Sequence, residues 1–93
     1  MEQSPGPATD GTESPAPAHD AELDATGLLC PLPVLKLRKR LSALAPGSVL
    51  RMVATDPAAR VDVPHFCAEQ GHGLVASADG PEGTLVFWVR RDG

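Results

Sequence analysis

Residues 1–22 contain no Val, Ile, Leu or aromatic side chain, so nothing before Leu23 can supply a hydrophobic core. The stretch holds four of the ten prolines, five acids (Glu2, Asp10, Glu13, Asp20, Glu22) and no Lys or Arg. It reads as a disordered, acidic, Pro-rich tail. Whatever folds must fit into residues 23–93, which is room for one small domain. There, eight Lys/Arg stand against seven Asp/Glu, a balance of +1, so the net charge of -4 comes from the five acids of the tail. A near-neutral body lacks the cationic excess of a protein that coats nucleic acid, and no direct nucleic-acid partner is expected. No apolar run approaches the ~18–20 residues of a membrane span, and the N-terminus lacks the basic and apolar regions of a signal peptide. The expectation is a cytoplasmic protein with no membrane partner, in which Cys30 and Cys67 are free thiols. Two cysteines and three histidines at scattered spacings form no zinc signature, so no metal or cofactor is expected.

From Leu23 the periodicity sets out the elements. Residues 23–26 read as a strand ended by Gly27, and Pro31 and Pro33 fit the first turn of a following helix, where N–H groups have no partner to lose. On that helix Val34, Leu37, Leu41, Leu44 and Ala45 share one face, opposite Lys36, Lys39 and Arg40, and Pro46-Gly47 stops it. Residues 48–55 read as a strand with Leu50, Met52 and Ala54 toward the core. Asp56-Pro57 opens a turn, Asp62 is placed as N-cap of a second helix running to about Gln70, and Pro64 falls in its first turn. Val63, Phe66 and Cys67 form its buried face. Residues 74–78 make a third strand, 79–83 a hairpin loop, and 84–91 a fourth strand alternating Leu85, Phe87, Val89 against Val86, Trp88, Arg90. The order β-α-β-α-β-β implies an α/β two-layer sandwich, a four-stranded mixed sheet with both helices on one face. Its open face is expected to show Val49, Arg51, Val53, Val86, Trp88 and Arg90, a possible contact surface or an ordinary half-exposed sheet.

Cys30 stands immediately before the first helix, at the carboxyl end of the first strand, where ligand sites in α/β sheets tend to lie. Unpaired N–H groups and the positive end of the helix dipole favour a thiolate, so its pKa is expected to fall, modestly because two prolines remove donors. His65 and His72 lie far along the chain, and no general base of a cysteine hydrolase is evident. An exposed thiolate of this kind suits sulfur or disulfide exchange between proteins. Cys67 reads as a small core residue, with a resolving thiol as the alternative.

The run Asp24-Ala25-Thr26-Gly27-Leu28-Leu29-Cys30-Pro31-Leu32-Pro33 resembles the D-x-x-G-x-x-C-P-x-P signature of the TusA/SirA-like sulfur-carrier family. Pro46-Gly47, Asp56-Pro57, Asp62-Val63, Phe66-Cys67, Gly71-His72 and Leu74 follow in the family's order, so the resemblance covers residues 23–91. It implies a sulfurtransferase that accepts sulfane sulfur as a persulfide on Cys30, with Asp24, Gly27, Pro31 and Pro33 supporting the motif. The implied donor is a cysteine desulfurase or rhodanese-like protein, and the implied acceptor a protein of tRNA thiolation, molybdenum-cofactor maturation or sulfur oxidation. Lys36, Lys39 and Arg40 are the proposed docking patch for these partners. A monomer is expected. The competing readings are a non-catalytic adaptor binding through the Trp88 face and the basic helix, and a dithiol redox protein using Cys30 and Cys67.

Overall fold

The structure is a computed structural model and describes residues 17–93, so most of the tail expected over 1–22 lies outside the described residues. The first strand, β1 (Ala21–Ala25), begins two residues ahead of the expected Leu23. Backbone pairing explains the difference. The N–H of Asp20 donates to the Val49 carbonyl at 2.7 Å, and the Asp20 carboxylate accepts the Val49 N–H at 2.9 Å. β1 then runs parallel to β2 (Val49–Ala54), from Ala21 opposite Leu50 to Ala25 opposite Ala54. Ladder bonds need no apolar side chain, so a hydrophobicity pattern misses these first rungs.

Helix α1 (Leu32–Ser42) follows β1, with Pro31 at its N-cap and Pro33 in its first turn. Its C-terminal carbonyls are met by Arg91, whose guanidinium donates to Ser42 at 3.3 Å and to Leu44. The helix ends in i to i+3 bonds from Ala43 to Arg40 and from Leu44 to Leu41, short of Ala45, which is exposed rather than part of the expected apolar face. Helix α2 (Ala59–Gln70) starts three residues earlier than Asp62. The cause lies at Asp56, whose carboxylate accepts the Ala58 N–H at 3.0 Å while its carbonyl accepts that of Ala59 at 3.0 Å. This turn starts the helix without a capping side chain at Ala58, so Asp62 is not the N-cap and is left free on the first turn. Pro64 consequently sits inside the helix, with no N–H to give the Arg60 carbonyl. Gly71 ends α2 at a φ of 76°, a left-handed conformation that glycine adopts without steric cost.

Strand β3 (Gly73–Asp79), a short 3-10 turn (Pro81–Gly83) and β4 (Leu85–Arg90) complete the chain. The sheet order is β1-β2-β4-β3, with β4 antiparallel to both neighbours. Both helices pack on one face. Leu23, Ala25, Leu50, Met52, Ala54, Leu85, Phe87 and Val89 meet Leu37 and Leu41 of α1 and Val63, Phe66 and Cys67 of α2. The other face departs from expectation, because Val86 and Trp88 are buried, Trp88 to 6% exposure. β4 lies between two strands whose side chains close over it, and the Arg51 guanidinium stands 5.8 Å from the Trp88 ring centroid. Val49, Arg51 and Val53 are half-buried, and Arg90 is exposed.

Candidate functional site

The loop from β1 to α1 is built by short polar contacts. Asp24 accepts the Thr26 hydroxyl at 2.6 Å and the Thr26 N–H at 3.0 Å. Those two bonds, with a smaller contribution from Lys36, hold its carboxyl below the ordinary value. Gly27 takes a φ of 79°, and its N–H donates to the Thr55 hydroxyl at 2.8 Å. The turn needs that left-handed residue, and it ties the end of β1 to the end of β2. Three residues on, the Cys30 N–H donates to the Asp56 carboxylate at 2.7 Å. Asp56 thus bridges Cys30 and Ala58, joining the loop after β1 to the loop after β2, and the two N–H bonds, that of Ala58 foremost, lower its pKa.

Cys30 is exposed at the rim of a shallow cavity of about 200 Å³ lined also by Pro31, Val34, Asp62, His65, Phe66 and Glu69. The α2 members lie at i, i+3, i+4 and i+7, one stripe of the helix aimed at the start of α1. His65 Nε2 stands 3.4 Å from Glu69 Oε2. The chain alone did not show Asp62 and this stripe as part of the site: it placed Asp62 as a cap and His65 far from Cys30. The spacing was the stripe's only signal.

The expected fall in the Cys30 pKa is overturned: it is raised. The thiol's hydrogen bond to the Asp62 carboxylate is the largest cause, followed by desolvation and by the negative charges of Asp62 and Asp56. The helix start offers little in opposition. Pro31 and Pro33 have no N–H, and the Leu32 N–H is already given to the Leu29 carbonyl at 2.8 Å. Cys67 behaves as a core residue, 3% exposed, with burial pushing its thiol up to about 11.

Lys36, Lys39 and Arg40 are all exposed on α1, but none lines the Cys30 cavity. Arg40 instead borders a broad cleft beside β1 with Glu22, Asp24 and Val53. Leu29, Leu32 and Leu35, 69%, 49% and 51% exposed, form an apolar ridge at three-residue spacing from the loop onto α1.

A profile of the family described as "Sulfurtransferase TusA" matches residues 21–91. The chain belongs to the TusA family. Among its relatives, the "Sulfur carrier protein TusA" of Pseudomonas entomophila (strain L48) is 49% identical over 73 residues, 78% of this chain and 90% of that protein. The protein of the same name from Pseudomonas syringae pv. syringae (strain B728a) is 49% identical over 72 residues, covering 77% and 84% of the two chains. The crystal structure of a SirA-like protein from Desulfitobacterium hafniense superposes with a TM-score of 0.71 at 20% identity, over 80% of this chain and 100% of that one. That likeness shows the fold. The TusA match begins at Ala21, where β1 begins, and takes in the whole loop from Asp24 to Pro33. It also takes in the α2 stripe.

Proposed function

We propose that this TusA-family protein is a persulfide sulfur carrier with Cys30 as its sulfur-bearing residue. The observation that carries the reading is an exposed thiol at the carboxyl end of β1, its backbone pinned by Asp56 and its sulfur at an open cavity. Family membership supports a role in sulfur transfer. In the proposed cycle the Cys30 thiol loses its proton, and the thiolate attacks the outer sulfur of a donor persulfide. A sulfur–sulfur bond forms on Cys30 as the donor's own bond breaks and its cysteine leaves as thiolate. The acceptor's thiolate then attacks the outer sulfur and Cys30 is released. Asp24 and Gly27 fix the turn that presents Cys30, and Pro31 and Pro33 fix the backbone on its other side.

The donor is proposed to be a cysteine desulfurase or rhodanese-like protein of the cytoplasm, and the acceptor a second protein thiol. Lys36, Lys39 and Arg40, together with the Leu29-Leu32-Leu35 ridge, are the proposed surface on which these partners settle. The adaptor alternative uses the Trp88 face and the basic helix; Trp88 is buried, which removes the first of these surfaces, while Lys36, Lys39 and Arg40 are exposed. Intact-protein mass spectrometry after incubation with a cysteine desulfurase, its cofactor and free cysteine tests the carrier reading. The expected result is a gain of one sulfur mass, reversed by reductant, lost in Cys30→Ala and kept in Cys67→Ala. No added sulfur from a desulfurase or from a rhodanese-type donor would overturn it.

A further inference from the structure

We infer that Asp62 and Glu69 make the mouth of the Cys30 cavity a charge filter. Cys30 exchanges sulfur with a partner cysteine flanked by Lys or Arg and discriminates against anionic sulfur compounds. The inference rests on the reading of Cys30 as the sulfur-exchanging residue and adds which sulfur compounds reach it.

Two carboxylates, Asp62 and Glu69, line the cavity with Cys30, and a third, Asp56, is bonded to the Cys30 N–H at 2.7 Å. The lining includes no Lys or Arg, and its one histidine, His65, is the 3.4 Å neighbour of Glu69. The four cations of α1, Lys36, Arg38, Lys39 and Arg40, are not among the lining residues, although Arg38 lies one turn beyond Val34. The remaining wall is apolar: Pro31, Val34 and Phe66. Low-dielectric walls carrying charges of one sign focus the field on whatever enters, so these carboxylates act more strongly here than on a flat, wet surface. Any sulfur attacking or attacked at Cys30 must come within reach of Asp62, which lines the same cavity. An ammonium or guanidinium beside that sulfur is drawn in. A carboxylate or sulfonate in the same place is repelled, which leaves small anionic thiols and sulfite at a disadvantage against a cysteine in a basic protein loop.

Charged disulfide probes read this directly on the full chain. The Cys30 thiolate attacks one sulfur of the probe, a new sulfur–sulfur bond forms as the probe's breaks, and the other half leaves as thiolate and takes a proton from water. Cys30 is thereby oxidised and half of the probe reduced. Rates of mixed-disulfide formation are measured by intact mass with cystamine, which carries ammonium groups, and with dithiodipropionate, which carries carboxylates. The ratio of the two rates cancels the thiolate fraction, so a variant that only alters the Cys30 pKa leaves it unchanged. At low ionic strength the ratio should exceed that of a neutral cysteine peptide about tenfold, a size set by unit charges meeting at contact in partly wet surroundings. It should fall toward the peptide's value in Asp62→Asn, in Glu69→Gln, and in the native chain at about 1 M salt, where the Debye length is ~3 Å. A native ratio no larger than the peptide's, or one unmoved by salt and by both substitutions, would sink the filter. The salt series needs no variant to fold. A flat ratio in a chain that loads sulfur overturns the filter alone, and a high ratio in a chain that never loads sulfur overturns the carrier reading alone.

Discussion

Cys30 shares its cavity wall with the carboxylate of Asp62, and its own N–H is held by Asp56, so two carboxylates lie close to the residue. Both charges favour the protonated sulfur, which is why its pKa stands above the ordinary thiol value. At neutral pH the site therefore holds less thiolate than a free cysteine would, a state suited to resting without stray oxidation. Asp62→Asn removes the largest cause, so the pKa should drop and the alkylation profile should move to lower pH, with faster modification at pH 7. Rates of iodoacetamide labelling against pH would show it. A profile that stays in place would mean that desolvation and Asp56 alone set the value. Cys30 could be named from its place just before the first helix, and Asp24 and Gly27 from their match to the D-x-x-G-x-x-C-P-x-P signature. Asp62 could not, because its residue type fits an N-cap equally well. Only the position of α2 against the start of α1 tells the two roles apart.

At the level of elements, α1 was legible from the spacing of Leu37 and Leu41 and from the Pro46-Gly47 stop. The start of α2 was hidden because its first residues, Ala58 and Ala59, carry no capping side chain, and the work falls to the Asp56 turn two residues earlier. The start of β1 was hidden for a related reason: Ala21, only half-buried against the core, and the exposed Glu22 join the sheet through backbone pairing with β2. This makes a sharp comparison possible. A chain beginning at Asp20 should unfold at the same urea midpoint as the full chain. One beginning at Leu23 should lose about 2 kcal/mol, the net worth of a few ladder and carboxylate bonds at ~0.5–1.5 kcal/mol each. Coincident midpoints for the two shortened chains would show that residues 20–22 add nothing to the sheet.

Across the whole molecule, the helix-covered face holds the continuous core, and the opposite face is closed at its centre by Trp88 under Arg51. Trp88 Nε1 is buried with no hydrogen-bond partner among the described residues. A buried donor left unsatisfied costs ~1–3 kcal/mol, so Trp88→Phe trades a smaller ring for relief of that penalty. Its unfolding free energy should lie within about 1 kcal/mol of the native chain, against a loss of about 3–5 kcal/mol for Trp88→Ala. Equal losses in the two variants would mean that the indole N–H is satisfied in solution. The segment that follows β4 carries a different kind of dependence. Arg91 closes the last carbonyls of α1, and the N–H groups of Asp92 and Gly93 donate to His72 Nδ1 at 3.1 and 3.2 Å, just beyond α2. Loss of these contacts would reach both helices before it touched a single core side chain. A segment that buries little acts as a shared clasp, and its loosening would spread inward through the helix ends.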